Sequence, residues 1–555
     1  MTAGERRSFL VLLALAAVLF FFKVGMPLTD GDTAYYGKIA RNILATGDWL
    51  TLHYRGDDFV DKPPLSIWPM ALSYRLFGFH DWATRGWHSL LAVGSVLLTY
   101  AIGRRLYSPK EAFWGGVVFA TSFLMAYMGQ VPQQDVPLLF FSLLSFWALL
   151  RWVAEGRLAD WLLAGASTGL AVLTRGLQGV VLPVGVVALY LGLRLLLPGA
   201  TREGARLPSL PAFLAGFAAF LLTAVPWYYL EYRLLGPSFL NYFFGAGNVR
   251  YLKDIAPASP GGPLAYVPLL ILAVLPWAGL LVSALKLGVQ EALTRRQQRE
   301  GWAALFLLSW FLVAFFLPLT IRWRVIRYLL PSLPPLALLT GRFLHLLLSR
   351  DETGEESRRR RLTEYRRISW FTLAAGLLLV AGVLSTVPRF PQAQQGLVPV
   401  LLPFLAVFLC ALIASAAAGL LRRPLASVVL LAGGAFLAYL IVFTQLERHI
   451  YLVNPWPAAA RTVNDLARPG DRVLLVNETH NPFVEYYVLP PVQTVTPAEL
   501  SRILDERAAR PALPEERLLL LAEGKALTAL VQNQPAARRP RELHTFPGGT
   551  AVAVW

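Results

Sequence analysis

Crossing a hydrocarbon layer of roughly 30 Å takes about 20 mostly apolar residues in a helix, and stretches of this kind recur from Phe9 to Phe443. Only about the last hundred residues lack them. With 56% hydrophobic and 15% charged residues and a mean hydropathy of +0.51, the 555-residue chain has more apolar surface than one soluble core could bury. Its solvent is lipid, and its fold class is an all-α polytopic membrane protein.

The formal net charge of +17 does not point to nucleic acid, because the arginines fall in short clusters between apolar stretches rather than along an aromatic-studded soluble face. The positive-inside rule accounts for them. The one cysteine, Cys410, lies in an apolar run and leaves no disulfide framework or cysteine metal knuckle. The stretch from Phe9 to Met26 follows Arg6 and Arg7, is long, and shows no small-residue cleavage site before Asp30, so it is read as a retained first span with the N-terminus inside.

Further spans are expected at 87–103, 112–129, 136–153, 160–174, 177–197, 211–231, 264–287, 302–319, 328–348, 369–387, 398–421 and 425–445, about thirteen in all. Alternating sides gathers Arg104, Arg105, Lys110, Arg151, Arg157, Arg194, Arg202, Arg206, Lys286, Arg295, Arg296, Arg299, Arg350, the run 358–361, Arg422 and Arg423 inside. That leaves the loop Pro27–Thr84, the loop Glu231–Pro263 and the C-terminal region outside, sharing one face. The expected domains are therefore 1–446, a transmembrane domain including the outer loop 27–84, and 447–555, a small extracytoplasmic α/β domain. In the latter, Arg472–Val476, Leu518–Leu521 and Ala551–Val554 read as strands and Pro497–Arg510 as a helix opening on Thr496. The outer loop is too polar to span but rich in aromatics, as befits the interface. Its Ala34–Ala45 segment sets Tyr36, Ile39, Ala40 and Ile43 opposite Lys38, Arg41 and Asn42, with Gly47 as a stop, and a second helix is expected over Leu65–Phe77.

Several outer ionisable residues invite chemistry. Asp32 opens the first interfacial helix, where on the residues alone capping is a readier role than catalysis, and Asp30 competes for either. Asp135, between Pro132 and Pro137 at the lip of a span, demands a partner, either in a structural ion pair or in a role orienting substrate. Lys62 precedes two prolines that hold the chain extended. Arg175 sits in a short turn, and Arg250 and Arg327 stand beside Tyr251 and Tyr328 on the outer side, against the positive-inside trend. Phosphate binding and interfacial anchoring both suit such cations. Tyr35 and Tyr36 are core or interface aromatics by default. No metal is called for; Asp61, with His53, Asp57 and Asp58 nearby, is where a divalent metal would be sought.

The motifs Asp32-Thr33-Ala34-Tyr35-Tyr36, Ile39-Ala40-Arg41, Gly47-Asp48-Trp49, Asp61-Lys62-Pro63-Pro64 with Trp68, Gln133-Gln134-Asp135, Thr174-Arg175-Gly176, Asn248-Val249-Arg250-Tyr251 and Arg327-Tyr328-Leu329-Leu330-Pro331 run in order through about the first 350 residues. In this order and spacing the chain resembles the bacterial GT-C-fold glycosyltransferases that include lipid A aminoarabinose transferases and protein O-mannosyltransferases. The resemblance implies transfer of a sugar, with inversion, from a polyprenyl-phosphate donor, expected to be undecaprenyl phosphate, to an extracytoplasmic lipid, glycan or protein acceptor at the bacterial inner membrane. It implies Asp32 as general base, reversing the capping preference, with Asp135 as a second catalytic carboxylate. Lys62, Arg175, Arg250, Arg327 and Tyr36 become the donor-phosphate and lipid contacts, and Asp61, Tyr35, Tyr328 and Asn248 their supports. Relatives often read Asp-Glu-Ala-Arg-Tyr where this chain has Thr33 and Tyr35, carry a lysine at the place of Arg175, and have Glu-His-Asn where Gly245-Ala246-Gly247-Asn248 stands, so the substrate contacts differ. Two other readings are a transporter or flippase of lipid-linked glycans, disfavoured by the lack of a paired repeat with midplane charges, and a non-catalytic glycolipid-binding relative.

Overall fold

The computed structural model describes residues 2–196, 206–243, 245, 262–320, 324–349, 355–386, 391–450, 454–476, 481–509, 517–523, 540, 542–546 and 550–554. Seven described helices are long and apolar enough to cross a membrane: Asp81–Leu106, Asp135–Glu155, Gln178–Leu196, Leu210–Leu235, Arg299–Thr320, Val400–Leu420 and Pro424–Arg448. The expected single span over 264–287 is instead two helices, Tyr266–Ala273 and Ala278–Thr294, bent by 103°, and counting them as one span gives eight. Pro276 lies in the break, where a missing N–H and a fixed φ stop the first helix from continuing. Helices also cover the remaining expected stretches, among them Ala3–Phe21, Pro109–Thr121 with Phe123–Met128, Leu158–Arg175, Leu333–Leu348 and Glu355–Thr386.

The described chain divides into two compact units. The first comprises Met1–Val24, Asn42–Val380 and Leu405–Leu440. Its helices approach closely where side chains vanish. A Cβ on Gly165 would collide with the backbone of Gly216, so the Leu158–Arg175 helix can lie against Leu210–Leu235 only with glycine there. A Cβ on Gly341 would likewise strike backbone at Gly115 and Glu111, which fixes Leu333–Leu348 against Pro109–Thr121. The outer loop joins this unit through an aromatic seam. Trp68 Nε1 donates to Trp49 O at 2.6 Å and Trp227 Nε1 to Leu50 O at 3.1 Å. Leu50, Val60, Leu65 and Trp68 pack on the buried Leu173, Trp227, Phe239 and Phe243. The expected helix over 65–77 is a 3-10 turn, Pro64–Ser66, followed by Trp68–Phe77. A small hairpin, β1 (His53–Tyr54) and β2 (Asp57–Asp58), had no counterpart in the sequence reading. It turns on Arg55 and Gly56, both at positive φ.

The second unit comprises Gly25–Arg41, Ala381–Phe404 and Ile441–Trp555. Its sheet runs β4-β3-β5-β7-β6. β3 (Arg472–Val476) is parallel to β4 (Val492–Val495) and to β5 (Leu518–Glu523), while β7 (Thr550–Val554) is antiparallel to β5 and β6 (Glu542–Phe546). Leu474, Leu520 and Ala553 stack across the sheet beneath Leu500 and Leu504 of the Pro497–Ala509 helix. Thr496 and Glu499 close the N-terminus of that helix reciprocally, at 3.3 and 2.8 Å. The start of the Gly31–Thr46 helix is tied into this unit. Tyr487 accepts from Leu28 N at 2.6 Å, Asn454 Nδ2 donates to Leu28 O at 2.9 Å, and Arg41 Nη1 donates to the carbonyls of Tyr486 and Val488.

Candidate functional site

In the first unit, three segments far apart in sequence deliver a buried charge cluster. Asp135 begins the Asp135–Glu155 helix, where unpaired backbone N–H groups favour a carboxylate, and it is buried. Arg175 ends the Leu158–Arg175 helix, which stops because Gly176 turns left-handed at φ 66° and returns its N–H to Val172 O at 2.7 Å. Arg327 and Tyr328 lie on the 3-10 segment Ile326–Ser332.

Arg175 Nη1 donates to Asp135 Oδ1, and Arg327 Nε stands 3.9 Å from Asp135 Oδ2. Arg327 Nη1 also donates to Gln133 Oε1 at 2.6 Å. Both guanidiniums lie against the Tyr328 ring, with Cζ 4.8 and 5.9 Å from its centroid. Among the described residues one carboxylate thus faces two cations, a surplus of positive charge held in a low-dielectric surrounding. Such a surplus favours an anion with oxygens to accept from guanidinium N–H groups. A cleft opens beside it, lined by Asp135, Arg175, Gln178 and Tyr328 and walled by Leu138 and Leu182, so polar donors meet an apolar flank.

Lys62 pairs with its neighbour Asp61, Nζ to Oδ2 at 3.0 Å, each side chain about 23% exposed. Pro63 is extended (φ −66°, ψ 157°), and the 3-10 turn begins at Pro64. Nearby, His53 bridges Asp48 (3.0 Å) and Asp58 (3.2 Å). Burial raises the Asp48 pKa, but the hydrogen bond from His53 and the backbone N–H groups of Leu50 and Thr51 outweigh it and leave the group below its ordinary value. Among the described residues no group of three His, Cys, Asp or Glu is placed to hold a metal.

In the second unit, Asp30 and not Asp32 caps the Gly31–Thr46 helix, since Asp30 Oδ1 accepts from Thr33 N at 2.9 Å and from Thr33 Oγ1 at 3.1 Å. Asp32, in the first turn, is exposed. The capping role that competes with chemistry at Asp32 is therefore filled by its neighbour. Tyr35 and Tyr36 are half-buried and meet edge to face at 5.6 Å. Burial, then the adjacent Arg41, lowers the Lys38 pKa, with Glu485 opposing.

Asn248 and Arg250 lie outside the described residues. The structure thus brings Asp135, Arg175, Arg327 and Tyr328 together in one cluster, pairs Lys62 with Asp61, and puts Asp32, Tyr35 and Tyr36 on the first turns of the interfacial helix. One participant in the Asp135 cluster, and one buried carboxylate beside Thr51, escaped the sequence reading. Gln133 was seen only as part of a motif. Glu231 is buried, accepts from Thr51 Oγ1 at 3.3 Å and leaves Oε1 with no hydrogen-bond partner, and the signal for it is a carboxylate inside an apolar run.

A family model described as dolichyl-phosphate-mannose-protein mannosyltransferase matches residues 61–229. The undecaprenyl phosphate-alpha-4-amino-4-deoxy-L-arabinose arabinosyl transferase of Pseudomonas aeruginosa (strain UCBPP-PA14) is 30% identical over 403 residues, covering 70% of this chain and 68% of its own. The enzyme of the same name from Edwardsiella ictaluri is 29% identical over 365 residues; the match spans 62% of this chain and only 61% of that relative's length. The crystal structure of ArnT from Cupriavidus metallidurans bound to undecaprenyl phosphate superposes with a TM-score of 0.75 at 20% identity, over 100% of this chain and 98% of that one, a likeness of fold. The chain belongs to the GT-C-fold family of membrane glycosyltransferases that holds these aminoarabinose transferases and the dolichyl-phosphate-mannose-protein mannosyltransferases.

Proposed function

We propose that this multi-pass membrane protein transfers a sugar from a polyprenyl-phosphate donor, undecaprenyl phosphate in a bacterial plasma membrane, to a lipid, glycan or protein acceptor outside the cytoplasm. The observation that carries the reading is the buried cluster in which Asp135 faces both Arg175 and Arg327 beside an apolar-walled cleft. A lipid phosphate has the same two-sided chemistry, an anionic head on an apolar chain. The named activity of the relatives, undecaprenyl-phosphate aminoarabinose transfer, supports the donor class.

In direct displacement, the acceptor oxygen or nitrogen attacks the anomeric carbon while the bond to the phosphate oxygen breaks, which inverts that centre. Charge builds on the departing phosphate, and guanidiniums held in advance by Asp135, Gln133 and Tyr328 stabilise it without reorganising. Asp135 is locked in ion pairs, so its role is to position Arg175 and Arg327 rather than to accept a proton. Asp32 takes the acceptor's proton, as the family motif implies. Lys62, aligned by Asp61, and Arg250 add cations for the donor and Tyr36 a further donor contact, with Tyr35, Tyr328 and Asn248 in support, as the family motifs imply. The distribution of Lys and Arg supports a cytoplasmic N-terminus and, by alternation of the expected spans, an extracytoplasmic C-terminal region.

The test is turnover of undecaprenyl-phosphate-linked sugars by the purified protein, with Asp32→Asn alongside. Loss of about 100-fold or more in turnover is expected for a general base. Activity within about threefold of wild type removes Asp32 from that role. Binding of the donor with no turnover on any acceptor class would favour a glycolipid-binding relative.

A further inference from the structure

We propose that Gln130, assisted by Ser89 and His88, is a positioning residue for the anion site: it fixes the turn that holds Gln133 against Arg327. The inference rests on the reading of that cluster as the donor-phosphate site. Its starting point is the end of the Ala3–Phe21 helix, where the last carbonyls run out of partners within the helix. Phe22 N and Val24 N take two of them, Val18 O at 3.0 Å and Phe21 O at 3.2 Å. The carbonyls of Leu19, of Phe20 and of the capping residue Phe22 are met instead by side chains from elsewhere in the same unit.

Gln130 Nε2 donates to Leu19 O at 2.6 Å and to Phe22 O at 3.0 Å, which uses both of its N–H groups. Ser89 shares its one O–H between Phe20 O at 2.9 Å and Gly129 O at 3.4 Å. His88 Nε2 donates to Met128 O at 2.9 Å, and since a carbonyl can only accept, this contact assigns the ring proton to Nε2. All three side chains are buried. A Cβ on Gly129 would overlap the buried ring of Phe20, so the turn lies on the helix end with no room to slide. Between Met128 and Asp135 the chain runs outside any helix or strand. These side chains, with local turn bonds such as Gln133 N to Val131 O at 2.8 Å, therefore set its place.

What the turn carries gives the anchoring its function. Gln133 follows Gln130 by three residues, with Pro132 fixing φ between them, and its Oε1 accepts from Arg327 Nη1 at 2.6 Å. A shift of the anchored amide is passed along this short stiff link to the guanidinium. The same turn leads into Asp135, but that residue is also held by the packing of its own helix, so the lever acts chiefly on Arg327. Stabilising charge on a departing phosphate depends on donors placed in advance, and a misplacement of about 1 Å costs roughly 100-fold in rate. Gln130 has spent both N–H groups on the helix end, so it serves the phosphate through the turn and not by touching it.

The experiment measures the Kd for undecaprenyl phosphate of the full-length protein in nanodiscs, for wild type, Gln130→Met, Arg327→Met and the double variant, each on its folded fraction. Gln130→Met keeps the length of the side chain and removes its donors, and Kd should rise about fivefold or more as Arg327 loses its advance placement. In the Arg327→Met background, where the guanidinium held by Gln133 is gone, the same change should raise Kd by no more than about twofold, because residues acting through one contact are not additive. Ser89→Ala deletes one oxygen, should fold as wild type and should raise Kd about threefold, and it carries the same cycle if Gln130→Met does not fold. A clasp that only holds the helices together lowers Tm without this dependence on Arg327. Equal fold-changes in the two backgrounds overturn the positioning role, as does a Kd unchanged from wild type in folded Gln130→Met or in Ser89→Ala. A wild type that does not bind undecaprenyl phosphate overturns the donor reading, and this inference with it.

Discussion

Two ionic clusters in one helical unit differ in charge balance. Among the described residues, one carboxylate at Asp135 holds two guanidiniums, whereas Glu111 and Glu291 share Arg342, and Arg295 also reaches Glu291 at 3.6 Å. The carboxylates of both are buried at or near helix ends, whereas Arg342 lies in the middle of its helix and Arg175 and Arg327 are partly exposed. Taking such charges out of water is costly, and complete neutralisation needs equal numbers, so an unbalanced cluster predicts the sign of what completes it. Among the described residues the Arg342 cluster is balanced, whereas the Asp135 cluster carries a net positive charge and calls for an anion.

The largest expected effect comes from breaking the anion-seeking triad. Arg175→Met should lower turnover about 100-fold or more, since one preorganised contact to developing charge is worth that much. It should also destabilise the protein by about 3–5 kcal/mol through the carboxylate left behind, read as a fall in Tm. Arg175→Lys should recover part of both, because an ammonium pairs with Asp135 but cannot bind bidentately. Arg342→Met should match the stability loss, again about 3–5 kcal/mol, and equal Tm values for wild type and variant would show that its ion pairs hold nothing together.

Next comes the division of labour at the interfacial helix. Asp30→Ala should cost about 1 kcal/mol of stability as the loss of a helix cap, whereas Asp32→Asn should leave Tm unchanged while turnover falls. Reversal of that pattern, with Asp32 governing Tm, would return Asp32 to a structural role. A smaller effect is expected at Tyr328. Tyr328→Phe keeps the ring face under both guanidiniums and should be close to wild type, while Tyr328→Leu should lose about 1–2 kcal/mol of binding to the anionic donor, read as a rise in Kd.

The smallest effect concerns pH. The folded-state pKa of Asp48 is depressed, with burial opposed by His53 and two backbone N–H groups, so its contribution to stability is present above the unfolded carboxylate pKa and lost as pH falls through the folded one. Thermal melts from neutral to acidic pH should show a decline on the acid limb that Asp48→Asn reduces. An unchanged acid limb would assign the decline to other carboxylates.

Most of the helical fold was legible because runs of apolar residues long enough to span leave few alternatives, and the central strands β3, β5 and β7 of the C-terminal sheet read clearly because they are buried along almost their whole length. β4 and β6 were not legible. Val492–Val495 is short and follows two prolines, and Glu542–Phe546 is an edge strand whose residues are mostly exposed. The break at 274–277 was hidden for a different reason, as apolar composition continues through it and only Pro276 marks it. Within the site, the sequence required a partner for Asp135 but could not choose one, because Arg175 and Arg327 are brought to it by tertiary packing. Asp30 as cap was undecided for the same kind of reason, since two aspartates within one turn differ only in which reaches the Thr33 N–H. Arg342, Glu111 and Glu291 lay unread, because charges isolated within apolar stretches of three different helices carry no sequence signal of their pairing.

The central claim is that the positive surplus on Asp135 exists to hold a lipid phosphate. Its direct test is the affinity of purified protein in nanodiscs for undecaprenyl phosphate, compared among wild type, Arg175→Met and Arg151→Met, the last removing a guanidinium that pairs with Asp160 at 3.0 Å. The account predicts that Kd rises about tenfold or more for Arg175→Met and stays within about twofold for Arg151→Met, both variants being checked for folding by circular dichroism. Equal affinity in wild type and a folded Arg175→Met would contradict it.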